Sequence, residues 1–280
     1  MRPFHWLAIG AVFAGLAAAQ QPTVNQNGVV NAASYSLDNP RGSLITIFGT
    51  NMAQAGVLLT PGTTPLSTQV KKGSDIVSIT INDVPAPIQY VSTTQSSVQV
   101  PWGTKSGSAT IVVTRNGVAS PPQTFHATTY SPGIFNIEQS NKGRAWAINA
   151  ITGTVAQPTQ GWPYPNITAL PAKAGDKLYL YATGLGPVNP LIADGAAPCS
   201  LKGCAPDAKQ RPLVKSTQIS VLVGGVSAKI QFAGLSPQFP GVYQVNFIVP
   251  EGVTPGDAVP LQVQIVGGGV STDKVTLAIQ

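Results

Sequence analysis

The chain has 280 residues, of which 43% are hydrophobic and only 9% charged, with 29 Gly and 25 Pro. That length allows one large or two ordinary domains with ample core material, and so little charge excludes a charged disordered tail, a coiled coil or a charge-rich helical protein. The +6 formal charge comes from scattered Lys and Arg, densest at Lys71-Lys72; nucleic acid is not expected as a partner, because a phosphate-tracking groove needs a contiguous basic stripe.

The N-terminus reads as a targeting segment. Arg2 supplies a positive start, residues 4–16 (FHWLAIGAVFAGL) an apolar run, and Ala17-Ala18-Ala19 a small-residue cleavage site. This order is that of a signal peptide over residues 1–19, with the mature chain starting at Gln20. The expected destination is secreted or extracytoplasmic, in the periplasm or at the cell surface. No later run is long and apolar enough to span a bilayer. His5 leaves with the peptide, so His126 is the sole histidine expected in the mature chain.

Short runs rich in β-branched residues follow: 44–48, 76–81, 86–90, 98–100 and 109–114. They alternate in part and read as strands. Asn82-Asp83 and Asn116-Gly117 sit between such runs, where a two-residue hairpin turn belongs. A boundary falls near Tyr130-Ser131-Pro132-Gly133. Residues 138–171 are less regular and hold Trp146, Trp162, Tyr164 and several prolines. Beyond them, Cys199 and Cys204 in CSLKGC are the only cysteines. In an oxidising compartment they are expected to form a disulfide closing a small loop, since a metal site would lack partners.

The chain repeats itself. Ile45-Thr-Ile-Phe-Gly-Thr-Asn-Met52 aligns with Leu178-Tyr-Leu-Tyr-Ala-Thr-Gly-Leu185, and residues 78–90 (SITINDVPAPIQY) with 220–232 (SVLVGGVSAKIQF). Gln95-Ser-Ser-Val-Gln-Val-Pro101 then aligns with Gln244-Val-Asn-Phe-Ile-Val-Pro250, and the second copy carries the longer loops. The expected fold is all-β: two tandem immunoglobulin-like β-sandwiches, over 20–130 and 131–280. Period-two alternation predicts Ile79, Ile81, Ile88 and Tyr90 in the first core, and Val221, Val223, Ile230 and Phe232 in the second.

Several motifs carry a resemblance: Asn31-Ala-Ala-Ser-Tyr35, Ile47-Phe-Gly-Thr50, Pro101-Trp102, Tyr181-Ala-Thr-Gly-Leu-Gly-Pro187, Phe232-Ala-Gly-Leu-Ser-Pro237 and Gly241-Val-Tyr-Gln-Val-Asn-Phe-Ile-Val-Pro250. Together the chain resembles an uncharacterised secreted family abundant in acidobacteria, whose domains look like the IPT/TIG variety of immunoglobulin-like fold. The resemblance implies no activity and supplies no catalytic residues.

Chemistry-bearing residues are few. Ser/His/Asp catalysis would need His126, which no G-x-S-x-G elbow accompanies. Glu138, Asp176, Asp194, Asp207, Glu251 and Asp257 are isolated in sequence, whereas glycoside hydrolysis needs two acids across one cleft. Gly184-Leu-Gly-Pro187 lacks the Lys-Ser/Thr and helix of a phosphate loop. No cofactor, metal or catalytic residue is expected. The aromatic residues Trp162, Tyr164 and Trp146 are the candidate ligand contacts, because loop rings stack on sugars or peptides; capping the core is the competing role. Trp102, after Pro101, reads as a core cap. The expected function is a non-enzymatic secreted or cell-surface module for binding, adhesion or scaffolding, its partner an extracellular protein or polysaccharide. Polysaccharide recognition through the loop aromatics is one alternative, and a hydrolase with an inter-domain cleft another.

Overall fold

The computed structural model describes residues 21–61, 64–198, 213–214, 219–271 and 274–280. The signal segment and both cysteines lie outside the described residues. Among the described residues the chain is all strand and turn, with no helix.

The first half is two facing sheets. One has the order Thr23–Asn31, Leu44–Thr50, Gln95–Gln99, Ile88–Val91; the other runs Asp38–Pro40, Gln123–Thr128, Gly107–Arg115, Asp75–Ile81, Gln69–Lys72. Asp75–Ile81 alternates buried and half-buried along its whole length. That is the period-two pattern of a strand with one face on a core. Ile45, Ile47, Ile88 and Val98 from the first sheet meet Ile79, Ile81, Ile111 and Val113 from the second in one cluster. The hairpin turns use the residues their backbone demands. Asn82 and Asp83 stand at φ 48° and 63°, Asn116 and Gly117 at 49° and 81°, the left-handed region two-residue hairpins require.

In the second half the strands Gly133–Ile134, Lys177–Thr183, Tyr243–Ile248, Val226–Leu235, Ile219–Val223, Gly256–Ile265, Lys274–Ile279 and Lys142–Arg144 are hydrogen-bonded in that order. Val226–Leu235 turns the corner between the two layers. Its start pairs with Ile219–Val223, its end with Tyr243–Ile248. In the first half the matching stretch is broken into Val84–Pro85 and Ile88–Val91. Pro85 and Pro87 stand where the second copy has Ser227 and Lys229, and a proline cannot donate to a ladder. The irregular stretch after Glu138 wraps the second sandwich, adding Lys142–Arg144 beside Lys274–Ile279 and Ala147–Asn149 beside Lys177–Thr183.

The predicted core differs at two positions. Ile79, Ile81, Ile88, Val221 and Val223 are fully buried and half-buried Ile230 packs against the second cluster, but Tyr90 and Phe232 are half-buried and belong to neither cluster. The cause is a β-bulge in each copy. Ile88 pairs with Val98 and Tyr90 already with Ser97; likewise Ile230 pairs with Phe247 and Phe232 with Asn246. The extra residue is Gln89 in one copy and Gln231 in the other. One inserted residue reverses which face the following side chains take.

The two halves dock through a polar, close-packed seam. Thr183 Oγ1 donates to the Gly241 carbonyl and accepts from the Leu44 amide, both at 3.1 Å. Ser43 Oγ accepts from the Gly184 amide at 2.9 Å. Asn31 Nδ2 donates to the Ser131 carbonyl at 2.9 Å. Gly184 stands at φ +80°, and a Cβ there would lie 2.0 Å from the Ser131 oxygen, so only glycine fits. Trp102 is a core cap, but of the other half: its ring belongs to the second sandwich's cluster and lies against Gly42. Its amide donates to Asp194 Oδ1 at 2.8 Å. Four of the motifs that carried the resemblance, those at 31–35, 101–102, 181–187 and 241–250, thus supply residues to this seam.

Candidate functional site

Docking of the halves leaves a groove between them of about 210 Å³. Its floor is the outer face of the Leu44–Thr50, Gln95–Gln99, Ile88–Val91 sheet. Thr46, Ser97 and Tyr90 lie in one row, Thr46 opposite Ser97 and Ser97 opposite Tyr90. The bulge turns Gln89 outward beside Tyr90, and Gln89 Oε1 accepts a hydrogen bond from Ser97 Oγ at 2.9 Å. Tyr35, from the turn after Thr23–Asn31, forms one wall. The second half supplies the other with Phe135, Asn136, Gln139 and Trp146.

Backbone strain is concentrated at this groove. Among the described residues, the non-glycine positions with positive φ are mostly Asn and Asp in turns; the exceptions are Tyr35 at 58° and Gln139 at 49°. Both line the groove, one on each wall. Asn and Asp tolerate the left-handed region, whereas a bulky side chain there is an outlier held by its surroundings. The Tyr35 amide donates to the Asn31 carbonyl and the Asn31 amide to that of Ser36. Asn136, buried, brackets Gln139 by bonding the Ser140 backbone through both ends of its amide.

The groove is lined by no Asp, Glu, Lys, Arg or His; its polar groups are amides, hydroxyls, phenols and the Trp146 indole. Burial raises the pKa of the Tyr35 and Tyr90 phenols above the usual value, and for Tyr90 the neighbouring Tyr35 adds to it. Both stay protonated and able to donate.

The three aromatic residues singled out in the sequence come together, but only one reaches the groove. Trp146 packs edge-on against Trp162 with centroids 6.3 Å apart, and tilted against Tyr164 at 5.8 Å. Trp162 and Tyr164 meet edge to face at 5.6 Å. These rings form no flat strip; they buttress Trp146. Trp162 Nε1 donates to the Ile167 carbonyl at 2.6 Å, and the Arg144 guanidinium lies 5.6 Å over its ring. Glu138 in turn holds Arg144, accepting from Nε at 2.6 Å and from the amide at 2.7 Å. Burial works against the Glu138 charge, but these donors outweigh it and hold its carboxyl below the usual glutamate range.

The other candidates are dispersed. His126 sits in the strand Gln123–Thr128, exposed, with Nδ1 2.7 Å from Asp38 Oδ1 on the parallel neighbour. Asp194 is occupied by the Trp102 amide, Asp176 by that of Lys173. Asp207 lies outside the described residues. Gly184-Leu-Gly-Pro187 is seam, not phosphate loop. Among the described residues no three His, Cys, Asp or Glu converge. Sequence reasoning missed Tyr35, Tyr90, Gln89 and Gln139. Tyr35 stood within a quoted motif, and Gln89 recurs as Gln231 in the repeat, but neither marks a groove without the fold.

Residues 33–127 match the family model of the IPT/TIG domain. The first sandwich is thus similar to an IPT/TIG domain. A search of curated proteins finds no match. Among solved structures, the Bacteroides ovatus mixed-linkage glucan utilization locus SGBP-B, in complex with a mixed-linkage heptasaccharide, is 11% identical, with a TM-score of 0.37, over 93% of this chain and 46% of that one. A surface glycan-binding protein from Prevotella bryantii is 13% identical, with a TM-score of 0.26, over 90% and 41%. Domains 5–6 of the S-layer protein SbsC are 9% identical, with a TM-score of 0.27, over 91% and 99%. The chain spans less than half the length of the first two. Likenesses this distant carry no argument, and the site rests on the groove between the two halves.

Proposed function

We propose that this protein is a non-catalytic binding module of the cell exterior, and that it holds a glycan chain in the groove between its IPT/TIG sandwich and its second sandwich. The proposal includes the division into 20–130 and 131–280 behind a cleaved signal peptide, with the groove as their joint product. The observation that carries it is the composition and strain of the groove. Four aromatic side chains, Tyr35, Tyr90, Phe135 and Trp146, stand among amide and hydroxyl groups, the pairing a sugar ring's apolar face and hydroxyl edge call for. Strained backbone on both walls is characteristic of binding sites. Trp162 and Tyr164 position Trp146 instead of stacking on ligand. The volume lies below that of sites enclosing a whole drug-sized ligand, so the groove grips a segment of a longer chain. Of the binding readings, this one uses the groove; adhesion or scaffolding alone would leave it without a purpose.

The test is affinity electrophoresis of residues 20–280 in gels holding different soluble polysaccharides. At least one polymer should retard the protein, and Trp146→Ala and Tyr35→Ala should abolish the retardation while the variants stay folded. Retardation that survives both substitutions, or none with any polymer, would reject the reading.

A further inference from the structure

We infer that the groove selects uncharged glycans and rejects acidic ones, so that its ligand is a neutral polysaccharide segment. This rests on the glycan-binding reading above and adds the substrate class.

The argument is one of charge and hydrogen-bond type. Gln89, Gln95, Gln139, Thr46 and Ser97 supply the groove's side-chain hydrogen-bonding groups together with its phenols and Asn136. A carboxamide presents donor and acceptor side by side, which suits a pair of neighbouring sugar hydroxyls that also donate and accept. A uronate or sulfate offers acceptors only. Entering the groove it would lose hydration without meeting a cation, a penalty that neutral hydroxyls avoid. Arg144, behind Trp146, is committed: Glu138 accepts from its Nε and amide, and its guanidinium lies 5.6 Å over the Trp162 ring. The tyrosine phenols remain neutral donors. A Pro-rich peptide, which also docks on aromatic grooves, would leave most of these amides unpaired.

The global charge makes the inference discriminating. With a formal charge of +6, the chain attracts polyanions at long range, and salt screens that attraction. A neutral ligand held by stacking and hydrogen bonds does not respond in that way.

The experiment is calorimetric titration of residues 20–280 with fragments of neutral β-glucan and galactomannan, of acidic polygalacturonate and alginate, and with a proline-rich peptide. Each is run at low and high salt, on the native protein, Tyr90→Ala and Gln139→Lys. We expect a neutral fragment to bind with an affinity that salt leaves within about twofold, weakened about tenfold or more by Tyr90→Ala. Gln139→Lys should confer binding of an acidic fragment by placing a cation at the wall. If an acidic fragment binds in preference and Tyr90→Ala removes it, the charge class is wrong while the glycan reading stands. If the peptide alone binds, or nothing binds, both fall.

Discussion

Residues 84–91 and 226–233 occupy the same place in their two sandwiches and end in different roles. Both carry a bulge at the same glutamine, Gln89 or Gln231, and both turn the following aromatic residue, Tyr90 or Phe232, out of the core. In the first copy Tyr90 lies in the floor of the groove that Phe135 and Trp146 of the other half wall. In the second, Phe232 faces a hollow lined by Leu213 and Ile219 of its own half. A bulge supplies an outward aromatic; a site needs a second surface to close over it. That surface is brought by the seam, where Gly184, Thr183 and Trp102 fix how the sandwiches dock.

The largest effect should come from unseating that docking. Trp102→Ala removes a ring that is 8% exposed and packs in the core of the opposite half. It should cost about 3–5 kcal/mol in chemical denaturation and abolish glycan binding along with the groove. Unchanged stability with intact binding would break the link between seam and site.

A smaller effect is an acid response in the first half. In the first sandwich Asp75 is buried, which works against its charge, but Arg115 at 2.7 Å, the Gln54 amide and Asn116 outweigh that and hold its carboxyl below the usual aspartate range. A depressed native pKa stabilises the fold above the unfolded value, about 3.9, and that stabilisation is lost as pH falls through the native value. Thermal scans from about pH 5 to pH 2 should show the first sandwich weakening over this window. Asp75→Asn should cost about 1–3 kcal/mol at neutral pH and flatten the acid response. An acid response unaltered in Asp75→Asn would assign it to other groups.

Much of the fold could be read from the residues. The alternation at Ile79, Ile81, Val221 and Val223 marked core-facing strands, and Asn82-Asp83 and Asn116-Gly117 marked the hairpins. The errors have one physical source. Ile88-Gln-Tyr90 and Ile230-Gln-Phe232 look like period two whether or not the glutamine bulges, because a bulge is a property of the pairing with Val98 and Phe247, not of the segment. The site was hidden for a similar reason. Trp146 could be singled out as a loop aromatic, but its groove partners Tyr35 and Tyr90 lie more than fifty residues away in the chain, and only docking brings them near. The positive φ of Tyr35 and Gln139 has no residue-type signal at all. Trp162 and Tyr164, equally conspicuous in sequence, pack against Trp146 and do not line the groove.

The comparison of the two bulges yields the most direct test of the account. Tyr90→Ala and Phe232→Ala remove matching half-buried rings from the two copies, and titration of each with the retained neutral glycan isolates the role of the groove. We predict a loss of affinity of about ten- to a hundredfold for Tyr90→Ala and no more than about twofold for Phe232→Ala. Equal losses for the two variants, or a loss confined to Phe232→Ala, would contradict a binding site built where the second sandwich closes over the bulge of the first.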